Sequence, residues 1–139
     1  MSNDEIIAQN QFMLGLARTA ATDAYCPHSK FHVGACVFCK TINGDKVYIQ
    51  GCNIENASFG LTICAERVAI FNTISQGLIP LKIAVSCPDI KESDPDNYKM
   101  PCGACRQVII EHMKNDNIVL VDGVGEFFVK ELLPTPFKF

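Results

Sequence analysis

Apolar positions recur at helical spacing near the N-terminus. Ile7, Leu14, Ala17 and Ala21 share a face, and Met13, Leu16 and Ala20 widen it, which predicts a helix over residues 4–24. "YCPHSKF" ends that helix, because Pro27 disfavours helical geometry at Cys26. The pattern then changes character. In "HVGACVFC" (32–39) small and β-branched residues are apolar on both alternating faces, as expected of a strand covered on both sides. "NGD" at 43–45 predicts a hairpin turn, and "KVYIQGC" (46–52) the return strand.

A second helix is predicted over "CAERVAIFNTISQG" (64–77), with Val68, Phe71 and Ile74 on its apolar side and Gly77 as its stop. "LKIAVSC" (81–87) reads as a strand, and "PDIKESDPDNYKMP" (88–101) as a long polar loop with three prolines. "ACRQVIIEHMKN" (104–115) is a third helix, followed by strands over "NIVLVD" (117–122) and "VGEFFV" (124–129). "KELLPTPFKF" closes the chain as a short helix or coil. With no repeat, linker or low-complexity tract, residues 1–139 are expected to form a single domain. Helices alternating with strands after an opening hairpin predict an α/β fold: a mixed five-stranded sheet with helices on both faces, a three-layer α/β/α sandwich.

Charge and composition narrow the function. The chain carries a net charge of −3 and its basic residues are scattered, so it lacks an electrostatic footprint for a phosphate backbone. A small-molecule substrate is expected, with no nucleic acid and no membrane as partner. The acidic start "MSNDEIIAQN" does not resemble a secretory signal, and no stretch approaches the ~18 apolar residues of a membrane span, so a cytoplasmic location is expected. In a reducing compartment, the eight cysteines point to metal binding or core packing before disulfides.

Three of those cysteines stand out by position. Cys64 opens the predicted second helix, and Cys102 and Cys105, in "PCGACRQ", open the third. Unpaired N–H groups and the positive end of the helix dipole favour thiolate at such places. If the two helix starts converge, three thiolates meet. Three protein ligands plus water is the catalytic zinc pattern, because the fourth position stays open. Glu66, two residues after Cys64, is placed to carry protons for that water. Three thiolates against one Zn²⁺ leave a formal charge of −1, which weakens the Lewis acid. The helix N-termini offset part of this, and Arg67, on the same helix face as Cys64, is a candidate donor to the sulfurs. A Cys-x-Glu followed later by Pro-Cys-x-x-Cys is the constellation of the zinc deaminases, with the glutamate as general acid/base.

"CNIENASFGLTICAER", "PCGACRQ" and "KELLP" resemble the small, homotetrameric class of cytidine deaminase, and the likeness runs from about Tyr25 to Phe137. The resemblance implies a cytidine deaminase-like domain holding one Zn²⁺ per subunit. It also implies a hydrolase that converts cytidine and deoxycytidine to uridine and deoxyuridine, releasing ammonia, in pyrimidine salvage. Zinc-activated water attacks C4 of cytosine in that family, and the glutamate passes a proton to N3 and then to the departing amine. Cys64, Cys102 and Cys105 would bind zinc, and Glu66 would be the shuttle. Asn53 and Glu55 match a pair that hydrogen-bonds the ribose hydroxyl, and Phe31 an aromatic that packs on the base. Phe137 matches a C-terminal phenylalanine that reaches a neighbouring subunit's site, which implies a homotetramer with active sites completed across subunits. Phe59 and His28 stand where family members often carry tyrosine.

Other readings of the same residues stay open. Cys102 and Cys105 alone suit a thioredoxin-like redox pair, which leaves "CAE" unexplained. A closed structural site with Cys87 or Cys52 as fourth ligand suits a zinc-stabilised binding module that does no chemistry, and Glu66 would then be dispensable. Related chemistry includes deamination of a modified cytosine nucleoside of the blasticidin S type, and editing of cytosine within RNA or DNA, which the negative charge disfavours. Cys26, Cys36, Cys39, Cys52 and Cys87 read as packed thiols, and His28, His32 and His112 as non-ligands.

Overall fold

The computed structural model describes residues 1–139. Its core is built around β1 (Gly34–Lys40), which is buried along almost its whole length. Ala35, Val37 and Cys39 face one layer and Cys36 the other, which is why the strand shows no polar alternation. β2 (Lys46–Cys52) pairs antiparallel with one edge of β1, through the turn around Gly44, and β3 (Ile79–Ser86) pairs antiparallel with the other. β4 (Ile118–Val121) runs parallel to β3, and β5 (Gly125–Phe128) antiparallel to β4. The mixed five-stranded sheet therefore has the order β2-β1-β3-β4-β5.

Helices cover both faces, giving the three layers read from the sequence. α1 (Asn3–Ala21) lays Met13 and Ala17 on Cys36, Ala84 and Leu120. Its start is fixed by a capping box, in which Ser2 accepts from the Glu5 N–H and the Glu5 carboxylate accepts from the Ser2 N–H. On the other face, α2 (Ala65–Ser75) and α3 (Gly103–His112) bring Ala65, Ala69, Ile70 and Ile109 onto Ala35, Val37, Ile83 and Val85. The short α4 (Val129–Leu132) adds Val129 and Leu132. α2 lies so close to the sheet that a Cβ on Gly51 would fall 2.5 Å from the Ala69 nitrogen. Parallel β3 and β4 require a crossover, and that crossover carries the 88–101 loop and then α3. The carboxyl end of β3 thus leads towards Cys102, the kind of place where open α/β sheets form sites. No helix is long and apolar enough to cross a membrane.

Two apolar stripes differ from expectation. Ile7 is 54% exposed, because the buried part of α1 is its C-terminal half, Met13 to Ala21, where the helix rests on the sheet. In α2 the buried side is Ala65, Glu66, Ala69, Ile70 and Thr73, while Phe71 and Ile74 are exposed. The close approach at Gly51 puts alanines, Ala65 and Ala69, at that contact, and Ile70 beside them enters the core while Phe71 and Ile74 face outward.

Candidate active site

Cys64 and Cys102 are the N-cap residues of α2 and α3. Both have extended backbone, and neither thiol caps a backbone N–H of its own helix, so the sulfurs are free to face each other. Cys105 is one turn further along α3 and fully buried. The three Sγ atoms lie within 4.8 Å of one another, and Cys64 and Cys102 are 3.9 Å apart. Three sulfurs each at ~2.3 Å from one tetrahedral ion stand ~3.8 Å apart, so the cluster has the dimensions of a zinc site. All eight cysteines are free thiols.

The electrostatics of the cluster also suit a cation. The Cys64 thiol is pulled down to about 5, first by hydrogen bonding from Cys105 and then by Arg67, whose Nη2 donates to Cys64 Sγ at 3.5 Å. Cys105 is pushed up, as the partner that keeps its proton for Cys64, and by burial. Cys64 is therefore favoured as thiolate, and Cys105 needs added positive charge to ionise. Arg67 supplies some of it, and its buried Nε has no hydrogen-bond partner. The donor set, its spacing and its charge all fit Zn²⁺.

Glu66 is 5% exposed beside this cluster. Burial, reinforced by the charge on Cys64, raises its carboxyl to about 7. A carboxyl in that range takes up and gives back protons near neutrality. Cys64, Cys102 and Glu66 close one end of a cavity of about 330 Å³.

The rest of the cavity wall comes from loops. Asn53, 7% exposed, accepts from the Val33 N–H at 2.8 Å and donates to the Phe31 carbonyl at 2.8 Å, which pins the segment carrying Phe31. The Glu55 carboxylate accepts from the backbone N–H groups of His28 (2.9 Å) and Ser29 (3.1 Å) and from the Ser29 hydroxyl. The Ser29 hydroxyl and these N–H groups hold the Glu55 carboxyl below the usual carboxylate range. Phe31, Asn53 and Glu55 thus line the same cavity as Glu66.

Sequence reasoning missed several wall residues: Ser29, Val33, Thr62, Cys87, Tyr98 and Met100. Tyr98 and Met100 carried a faint signal, as the apolar residues nearest Cys102 in a polar run. Cys87 lines the cavity but stands outside the three-sulfur cluster, as does Cys52. Burial pushes the Cys87 thiol up to about 12, so it stays protonated. The closed four-cysteine site accordingly has no fourth sulfur. Phe137 is not brought to this cavity; it is 70% exposed, packs edge-on against Phe139, and its carbonyl accepts from Gln107. Phe59 is 84% exposed and outside the wall.

An α/β sandwich with three thiols and a buried glutamate at two adjoining helix starts defines a zinc-dependent deaminase site. Comparison with known proteins agrees. Residues 7–121 match the family model of the cytidine and deoxycytidylate deaminase zinc-binding region. A cytidine deaminase of Halalkalibacterium halodurans is 41% identical over 131 residues, which cover 91% of this chain and 92% of that protein. The crystal structure of cytidine deaminase from Burkholderia pseudomallei superposes with a TM-score of 0.77 at 35% identity, covering 99% of this chain and 100% of the other. A blasticidin-S deaminase of Bacillus cereus matches at 32% identity over 78% of this chain and 79% of its own length. The chain belongs to the cytidine and deoxycytidylate deaminase family.

Proposed function

We propose that this protein is a cytidine deaminase that converts cytidine and deoxycytidine to uridine and deoxyuridine with release of ammonia, serving pyrimidine salvage in the cytoplasm. The observation that carries the reading is the placement of Glu66. It is buried beside three thiols, and the cavity it opens on has a hydrogen-bonded carboxylate and amide on its wall. Cys64, Cys102 and Cys105 would hold one zinc ion. When bound, zinc supplies a nucleophile by lowering the pKa of water towards roughly 7. Glu66 takes one proton from the attacking water and passes it to N3 of cytosine as C4 is attacked, then takes the proton of the resulting C4 hydroxyl and passes it to the departing amine. Water is consumed, the C4–N bond breaks and ammonia leaves. Arg67 holds the Cys64 sulfur and offsets the negative charge of the thiolates.

Phe31 packs on the base, an aromatic contact with little orientational cost. Asn53 and Glu55 take the sugar hydroxyls, and groups built to bond a hydroxyl discriminate against analogues that lack it. No lysine or arginine lines the cavity, and Glu55 is ionised, so a 5′-phosphate would find no partner there. That favours a nucleoside over a nucleotide. The subunits assemble as a homotetramer: Phe71 and Ile74 leave an uncovered apolar stripe on α2, and Phe137 is exposed and available to a neighbour's site.

The test is ultraviolet absorbance of the purified protein with cytidine, deoxycytidine, cytidine 5′-monophosphate and blasticidin S, alongside its mass by analytical ultracentrifugation. Turnover of the two nucleosides by a four-chain assembly is expected. Turnover confined to the nucleotide or to blasticidin S would reassign the substrate.

A further inference from the structure

Lys99 sits where charged side chains are seldom found, 7% exposed at the end of the short 3-10 turn Asp96–Lys99. Its neighbours Tyr98 and Met100 both line the cavity, and Lys99 does not. The lysine side chain runs instead to the turn between β4 and β5. A Cβ on Gly123 would lie 3.1 Å from Lys99 Nζ, a close approach, and the φ of +79° at Gly123 favours glycine there.

The other side of that slot is rigid. Asp122 receives two hydrogen bonds from Arg18, at 2.8 and 2.7 Å, and one from the Ser86 hydroxyl at 2.7 Å. Its backbone N–H donates to the Val85 carbonyl at 2.9 Å. After Arg18 and Ser86, the charge of Lys99 is among those that hold the Asp122 carboxyl below its ordinary range. The backbone of residue 99 is tied as well, since the Cys87 thiol donates to its carbonyl at 3.8 Å. Lys99 is thus tied through its backbone to the carboxyl end of β3, and its buried side chain ends beside the residues just after β4. The 88–101 loop is otherwise polar and mostly exposed.

We propose that Lys99 is a positioning residue, the anchor that holds Tyr98 and Met100 in place as one wall of the nucleoside cavity. The proposal rests on the deaminase reading for its substrate. Lys99 touches neither the nucleoside nor the three-sulfur cluster, so its effect passes through the wall to substrate binding and leaves the chemical step alone.

The experiment compares wild type with Lys99→Ala and Lys99→Met, the second keeping most of the buried stem without the charge. Cytidine kinetics, zinc content and hydrogen–deuterium exchange are measured for each. Lys99→Ala is expected to raise KM ~10-fold with kcat within ~2-fold and zinc unchanged. Exchange should quicken in 88–101 and stay as in wild type in α1 and α2. Lys99→Met should move in the same direction by less, and it decides the matter by the same readouts if Lys99→Ala does not fold. Wild-type KM with wild-type exchange in 88–101 overturns the proposal. So does exchange that rises equally throughout the chain with KM unchanged, which would mark a merely structural lysine. If the wild type does not turn over cytidine, the deaminase reading fails, and local exchange in 88–101 still decides whether Lys99 anchors the loop.

Discussion

The two ends of the cavity are built by different means. At the thiol end, Cys64 and Cys102 cap two helices and Glu66 lies in the first turn of α2, so the groups are set by helix geometry. At the wall end, Phe31, Asn53, Glu55, Tyr98 and Met100 come from three separated segments. They are held by hydrogen bonds such as those of Asn53 to residues 31 and 33 and of Glu55 to residues 28 and 29. The first arrangement needs little beyond local sequence and helix packing, whereas the second needs the whole fold. Changes at the thiol end should therefore strike metal content and kcat, and changes at the wall should strike stability and KM.

The largest effect is expected from Cys102→Ala. With two sulfurs left, zinc should be lost and turnover should fall to background, while the far-ultraviolet circular dichroism spectrum stays that of wild type. Retained zinc with activity would break the comparison at its stronger end. Arg67→Ala comes next. It removes the donor to Cys64 Sγ and should weaken zinc retention against a chelator ~10–100-fold, with activity following. Unchanged metal content and rate would show that Arg67 is a surface charge and nothing more.

Asn53→Ala tests the other end. It strands the Val33 N–H and the Phe31 carbonyl, each at a cost of ~1–3 kcal/mol if it stays buried. Urea unfolding should show a loss of ~2–4 kcal/mol, and KM for cytidine should rise while zinc stays bound. Loss of zinc in this variant would mean the two ends are not separable.

The smallest effect lies away from both ends. Arg18 and then Ser86 lower the Asp122 carboxyl from 3.8, so the folded state favours its ionised form. That stabilisation is fully present above the unfolded value and is lost as pH falls through the lower folded value. With Arg18 largely exposed, about 1 kcal/mol is expected. Thermal unfolding of wild type and Asp122→Asn should differ at neutral pH and converge in acid, with zinc and kcat alike in both.

The same contrast explains what was legible in the sequence. "CAE" and "PCGAC" announce a site because each motif sits at a helix start, and the doubly covered β1 and the hairpin turn follow from local patterning. Glu66 was legible by spacing alone, since no hydropathy rule predicts a carboxylate at 5% exposure. The inner face of α2 was not legible. Val68, Phe71 and Ile74 look like a core stripe, yet the buried side is Ala65, Ala69, Ile70 and Thr73, with the two alanines where Gly51 brings the sheet closest. The wall residues Cys87, Tyr98 and Met100 were hidden for another reason. They reach the cavity through long-range ties such as the bond from Cys87 to the Lys99 carbonyl, and those ties leave no periodicity.

The most direct measurement is cytidine turnover by Glu66→Gln beside wild type, with zinc quantified in both. A buried proton carrier predicts that the variant keeps one zinc per chain and loses ~10²–10⁴-fold or more in kcat. A variant that keeps its zinc and turns over cytidine at the wild-type rate would contradict the account, leaving three well-placed thiols around a metal that Glu66 does not serve.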